Sequence, residues 1–200
     1  MFVQVIQSQV KDADGLRKHV ELWEQNLKPG AIGSLGATGG ITEDGEFFIA
    51  ARFESEEAAK ANSDRPEQGE WAAEMMQHIE GEPSFIDYSK VDLHRGGGSD
   101  DAGFVQVMQG KTNDPERAAA LDKQMQEMGD DFRPDLIGGI TGSHDDGSFT
   151  SINYFTSEAE ARKGESQDPT PEMADQMKEW EAIIEEIRFI DLKDPWLFSA

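Results

Sequence analysis

"FVQVIQ" at residues 2–7 returns almost unchanged as "FVQVMQ" at residues 104–109. Phe and Val interleaved with polar residues read as a β-strand, so the same strand opens both halves of the chain. The echo then continues in order. "LKPGAIGS" (27–34) is answered by "FRPDLIGG" (132–139), and "EDGEFF" (43–48) by "DDGSFT" (145–150). "FESEEAAKA" (53–61) is answered by "FTSEAEARK" (155–163), and "FIDYSKVDL" (85–93) by "FIDLKD" (189–194). Matches in one order at a nearly constant spacing identify a tandem duplication. The copies span 1–95 and 104–200, joined at 96–103 by a Gly/Ser/Asp linker with no periodic apolar residue.

Each copy predicts the same elements. After the first strand, Leu16, Val20, Trp23 and Leu27 recur at steps of three and four, the pattern of an amphipathic helix. Asp12 or Asp14 caps that helix; in the second copy Asp114 does so, followed by Pro115 in the first turn. Two strands follow around an "EDG" or "DDG" turn. Ser55 opens a second helix, with Glu57 and Glu158 suited to the positive N-terminal end in the two copies. The prolines of "RPEQ" and "DPTPE" interrupt that helix before it resumes. "SFIDYSKVDL" and "RFIDLKD" close each copy with a strand. The order β-α-β-β-α-β is the ferredoxin-like unit of an α+β protein. Val3 and Val5 alternate with Phe2 and Ile6, so the first strand is apolar on both sides. The sheet face away from the helices therefore needs cover, and two sheets closing face to face as a pseudodimeric α+β barrel supply it.

The formal net charge is −23, which repels polyanions and disfavours an anionic membrane surface. Nucleic-acid binding needs a basic footprint, and the sequence has none. No cysteine is present, which removes disulfides, thiolate nucleophiles and Cys-ligated metals together. "MFVQVIQSQV" has no basic stretch ahead of an apolar core, so no signal peptide is expected, and a cytoplasmic location is. The apolar tail residues Trp196, Leu197 and Phe198 are expected to pack on the protein or on a second chain, leaving a further homo-oligomer open.

The sequence resembles the dimeric α+β barrel superfamily, and within it the antibiotic-biosynthesis-monooxygenase-like domains. "FVQVIQ", "FESEEAAKANSDRPEQGEW" (53–71) and "FIDYSKVDL" carry the resemblance. It implies a site for a small hydrophobic or aromatic ligand. In the oxygenase members it implies oxidation of a phenol or enol with no metal, flavin or other cofactor. Asn, Trp and Arg side chains serve such relatives, and the matching types here are Asn62, Trp71 and Arg52. Heme-degrading relatives place a Trp and a His on the second helix. Trp71 and His78 match, but the first strand carries Gln4 where those relatives have Asn.

No histidine is repeated between the copies, and no metal-ligand spacing is present. Asn62 reads equally as a helix C-cap, Arg52 as one half of an ion pair, and His78 as a helix-surface or core residue. Gln4 and Gln106 are retained in both copies in the middle of a buried strand. They are either satisfied structural amides or cavity-lining groups. The glycine-rich "GSLGATGG" (33–40) is not followed by a helix, so it reads as a bulged strand rather than a phosphate loop. Two functions stand: a cofactor-independent monooxygenase whose site lies in the first copy, or a non-catalytic ligand-binding or protein-interaction barrel.

Overall fold

The computed structural model describes residues 1–127 and 133–199. Phe132, which opens the second copy's "FRPDLIGG", lies outside them. The chain forms two compact units, one of Met1–Val91 with Asp194–Ala200, the other of Asp92–Lys193. These are not the two sequence copies. Each copy gives its last few residues to the other unit.

In the first unit β1 (Phe2–Val10) leads to α1 (Ala13–Asn26), β2 (Ser34–Ile41), β3 (Glu46–Phe53), α2 (Glu56–Ser63), α3 (Pro66–Met75) and β4 (Ile79–Tyr88). After β5 (Lys90–His94), the second unit runs β6 (Phe104–Thr112), α4 (Pro115–Glu127), β7 (Leu136–Ser143) and β8 (Ser148–Phe155). It continues with α5 (Glu158–Glu165), α6 (Pro171–Ile183) and β9 (Ile184–Leu192), and the short β10 (Trp196–Phe198) follows. The strand orders are β10-β2-β3-β1-β4 and β5-β7-β8-β6-β9, and every registered pair is antiparallel. The expected ferredoxin-like order is present twice, with a fifth strand added to each sheet.

The local signals are the expected ones. The side chain of Asp12 accepts from the Gly15 N–H and that of Asp114 from the Arg117 N–H, which starts α1 and α4. Ser55 and Ser157 cap α2 and α5 in the same way. Gly45 (φ 84°) and Gly147 (φ 87°) turn the two hairpins in a backbone region that other residues rarely enter.

The added strands dock at equivalent bulges. β2 slips register between Ser34 and Gly36, and β7 between Leu136 and Gly138. A Cβ on Gly36 would stand 2.0 Å from the Phe198 carbonyl oxygen, and one on Gly138 2.0 Å from that of Gly97. Only glycine lets the incoming backbone approach this closely. Phe198 then pairs with Ala37 and Trp196 with Gly39, and both rings join the core around Leu16, Val20 and Phe47. The apolar tail therefore packs within the first unit. Among the described residues, no helix is long and apolar enough to cross a membrane.

Phe198 is 8% exposed, so truncating it empties a filled site. Phe198→Ala is expected to cost about 3 kcal/mol in urea unfolding, whereas Leu93→Ala on the exposed side of β5 changes it by less than about 1 kcal/mol.

Candidate functional site

Alternation sends Phe2, Gln4, Ile6 and Ser8 to one face of the first sheet. Phe47, Ile49, Ala51 and Phe53 lie opposite them on β3. Ile6, Phe47 and Ile49 pack in one cluster with Leu16 and Val20 of α1 and Met75 of α3, so this is the helix-covered face. The second sheet matches it pair for pair. Gln4 lies between Ala51 and Asp87, and Gln106 between Asn153 and Asp191. Ile6 opposes Ile49 as Met108 opposes Ser151.

The helices superimpose by their own anchors. Val20 and Asp122 stand the same number of residues past the N-caps Asp12 and Asp114. The His78 carbonyl accepts from the Lys11 N–H as the Ile183 carbonyl accepts from the Asn113 N–H. Counting back from there, Met75 corresponds to Trp180 and Trp71 to Gln176. On the fifth strand, the His94 Cβ lies 3.2 Å from where Gly139 would carry one, the place Phe198 takes beside Ala37. Asp92, two residues earlier on the same face, corresponds to Trp196.

The result is one frame with two linings. In the first unit Val20, Ile49, Trp71, Met75, Trp196 and Phe198 fill the space between helices and sheet as one apolar cluster. In the second unit the same six places hold Asp122, Ser151, Gln176, Trp180, Asp92 and His94. The sheet floor there is a hydroxyl–amide chain: Thr141 Oγ1 donates to Ser151 Oγ at 3.0 Å, and Asn153 Nδ2 donates to the same oxygen at 3.4 Å. On α6 the Gln176 Oε1 and the Trp180 Nε1 are buried with no hydrogen-bond partner among the described residues. They are four residues apart and so share a helix face. Trp196 Nε1 in the first unit also has no partner among the described residues. It stands inside the apolar cluster, under the Arg17 guanidinium, 5.6 Å from the ring centroid.

Electrostatics separate the two linings further. Burial, with the Asp92 charge adding to it, raises the Asp122 carboxyl from 3.8 to about 6. Burial lowers the His94 imidazole, against the opposing pull of Asp92, so the ring is neutral at pH 7. Among the described residues no three His, Cys, Asp or Glu side chains are placed to hold a metal ion.

The residues singled out from the sequence are already engaged, most of them in the first unit. Arg52, 8% exposed on the face away from the helices, donates to Thr38 Oγ1 (2.9 Å) and to the carbonyls of Leu35 and Phe198, tying the tail strand in place. Asn62 accepts from the Ile32 N–H at 3.1 Å and from Arg65 at 3.0 Å, joining the loop after α1 to the turn between α2 and α3. Trp71 stacks on His19 with centroids 4.8 Å apart and an interplanar angle of 9°. Its indole N–H donates to the His19 carbonyl, and the His19 imidazole in turn reaches the Trp71 carbonyl, a reciprocal clamp between α1 and α3. His78 pairs with Asp12 at 3.1 Å, beside His19. Trp71 and His78 are linked through His19, whose ring each of them contacts. Gln4 donates to Asp87, and Gln106 to Asp191 and Glu165, so both amides are satisfied on the helix-covered face. Asp122, Gln176, Trp180, Asp92 and His94 were not singled out. Except at Trp180, which stands in the place of Met75, the signal in the sequence is a polar residue in one copy where the other has an apolar one.

No protein-family model matches the chain, and no curated protein matches it in sequence. Solved structures do. A Fusobacterium nucleatum protein described as a putative monooxygenase matches 99% of this chain over 94% of its own, at 12% identity and TM-score 0.81. A second protein of that description, from Lactobacillus acidophilus, matches 98% over 98%, at 12% identity and TM-score 0.72. An anthrone oxidase-like protein matches 100% over 91%, at 9% identity and TM-score 0.65. Likeness at such identities shows that the fold is shared over the whole chain, and a fold does not by itself fix a reaction.

A carboxyl raised by burial opposes folding once it ionises. The stability linked to Asp122 is fully present below its unfolded value near 3.8 and is lost as pH rises through about 6. Asp122→Asn is therefore expected to stabilise the protein at pH 7.5 by about 1–2 kcal/mol, discounted for partial exposure. At pH 4 it is expected to leave stability unchanged within about 0.5 kcal/mol, checked by thermal melts at both pH values.

Proposed function

We propose that this chain is a small-molecule oxygenase of the cofactor-independent monooxygenase type, acting on an enolic or phenolic aromatic compound between the helices and the sheet of its second unit. The observation that carries the reading is the pair of buried polar atoms on α6, Gln176 Oε1 and Trp180 Nε1, which have no partner among the described residues. A buried polar group left without a partner costs about 1–3 kcal/mol. The first unit shows that this frame can be filled with apolar side chains instead. A lining that keeps such groups, beside an ionisable carboxyl, suits a ligand that supplies one donor and one acceptor across a flat apolar body.

The full-length structural neighbours described as monooxygenases or as anthrone oxidase-like support the direction of this reading. An anthrone is a fair model of the substrate class. Loss of a proton gives an electron-rich enolate, which gives electrons to dioxygen directly; the overall conversion is anthrone plus O2 to anthraquinone plus water. In that scheme the Trp180 indole N–H would hold the oxygen on which negative charge develops, and Gln176 would orient the ring system. The neighbouring reading is a binding protein without turnover, using the same groups.

An oxygen electrode with anthrone as substrate tests the proposal. Oxygen uptake matched by anthraquinone formation is expected, falling at least about tenfold in Trp180→Phe and Gln176→Ala. His78→Gln, which alters the contact with Asp12 in the first unit, is expected to leave the rate unchanged. Binding without uptake would favour the non-catalytic reading, and equal losses in all three variants would contradict a site in the second unit.

A further inference from the structure

We propose that Asp122, with Asp92 brought alongside it on β5, receives the acidic proton of the ligand hydroxyl or enol and releases it to solvent. The inference rests on the reading of the second-unit site given above and assigns its acid–base group. Asp122 lies on the face of α4 that carries Ala118, Leu121 and Met125. Leu121 is fully buried, and Asp122 stands in the place of Val20, which is 3% exposed. A carboxyl at a core position has no structural need to be there. Among the described residues no ion pair compensates its burial, and the charge that reaches it is that of Asp92, a like charge. Arg117, in the first turn of the same helix, is paired with Glu179 of α6. The floor beneath offers Thr141, Ser151 and Asn153, all neutral. His94, on the same strand as Asp92, is held neutral by burial.

The two carboxyls differ in the way a proton path needs. Asp122 is half-buried among the lining groups and Asp92 is exposed at the strand edge. The proton would pass from the ligand O–H or activated C–H to the Asp122 carboxylate, and from there to water at Asp92. The electron pair of the broken bond stays on the ligand, where the Trp180 N–H can meet the resulting negative oxygen. Burial holds the Asp122 carboxyl near the operating pH, where a general base is most effective. Asp92 reaches the second unit on the strand that the first sequence copy gives away, so this site draws on both copies.

Equilibrium binding of 2-naphthol tests this without requiring turnover, with 2-methoxynaphthalene as the analogue lacking the hydroxyl proton. Neither probe ionises between pH 5 and 8. Asp122 goes from about one-tenth to about nine-tenths ionised between pH 5 and 7. Wild-type affinity for 2-naphthol is expected to rise up to about tenfold over that interval, while affinity for the methyl ether stays flat. In Asp122→Asn both probes are expected to bind with no pH dependence. In Asp92→Asn the rise is expected to move to lower pH, because a like charge has been removed. Binding of both probes with equal pH profiles in the wild type, or a rise that survives in Asp122→Asn, would overturn the assignment of Asp122 while leaving the site. Failure of either probe to bind at any pH would overturn the site and the assignment with it.

Discussion

The close approach of a strand backbone to a bulge glycine is the contact on which the rest of this structure depends. Gly36 faces the Phe198 carbonyl and Gly138 faces the Gly97 carbonyl, each at a distance no Cβ tolerates. Those two contacts let each sheet accept a fifth strand, and each of those strands comes from the other sequence copy. Arg52 reinforces one of them by donating to the Phe198 carbonyl, and Arg95 beside β5 donates to the carbonyls of Arg133 and Leu136. The exchanged strand extends the edge of the sheet, and in the first unit its alternate residues Trp196 and Phe198 join the cluster beneath the helices. Whatever the tail of one copy carries is delivered to the unit built mainly by the other.

That arrangement explains how a duplicated chain holds two different interiors. β10 brings Trp196 and Phe198 into the first unit, where they complete an apolar cluster with Val20, Trp71 and Met75. β5 brings Asp92 and His94 into the second, where the Asp92 charge acts on Asp122 and His94 lies over Gly139. The first interior is stabilised in the ordinary way, by burying apolar surface at roughly 25 cal/mol per Å². The second forgoes part of that gain: among the described residues it keeps two buried polar atoms without partners against one in the first, and it keeps a carboxyl whose ionisation opposes folding. Stability surrendered at one of two equivalent places is what a ligand site on a duplicated scaffold is expected to look like.

Much of this was legible in the sequence. The repeated strand, the Asp and Ser caps, the turn glycines Gly45 and Gly147 and the proline-broken second helix all act through local backbone chemistry, and each produced the expected element. The strand exchange was not legible. "SFIDYSKVDL" reads as one closing strand, but the ladder ends at Tyr88 and β5 starts at Lys90 in a different sheet. No local propensity reports which sheet a short strand joins. The site was harder still. Trp71, Asn62, Arg52 and His78 match the resemblance by residue type alone, and each makes contacts within the first unit that hold elements together. Asp122 sits amid ordinary helix-forming residues, and only the matching of α4 to α1 through their caps reveals that its place is a core place.

The central claim is that the ligand enters the second unit and that the first is a filled counterpart. Hydrogen exchange read by mass spectrometry, with and without saturating 2-naphthol, tests it most directly, because it reports location without presuming a reaction. The account predicts slowed exchange in α4, α6 and β5 at residues 115–127, 171–183 and 90–94, with α1, α3 and β10 unchanged. Protection confined to residues 13–26, 66–75 and 196–198 would place the site in the first unit and contradict it.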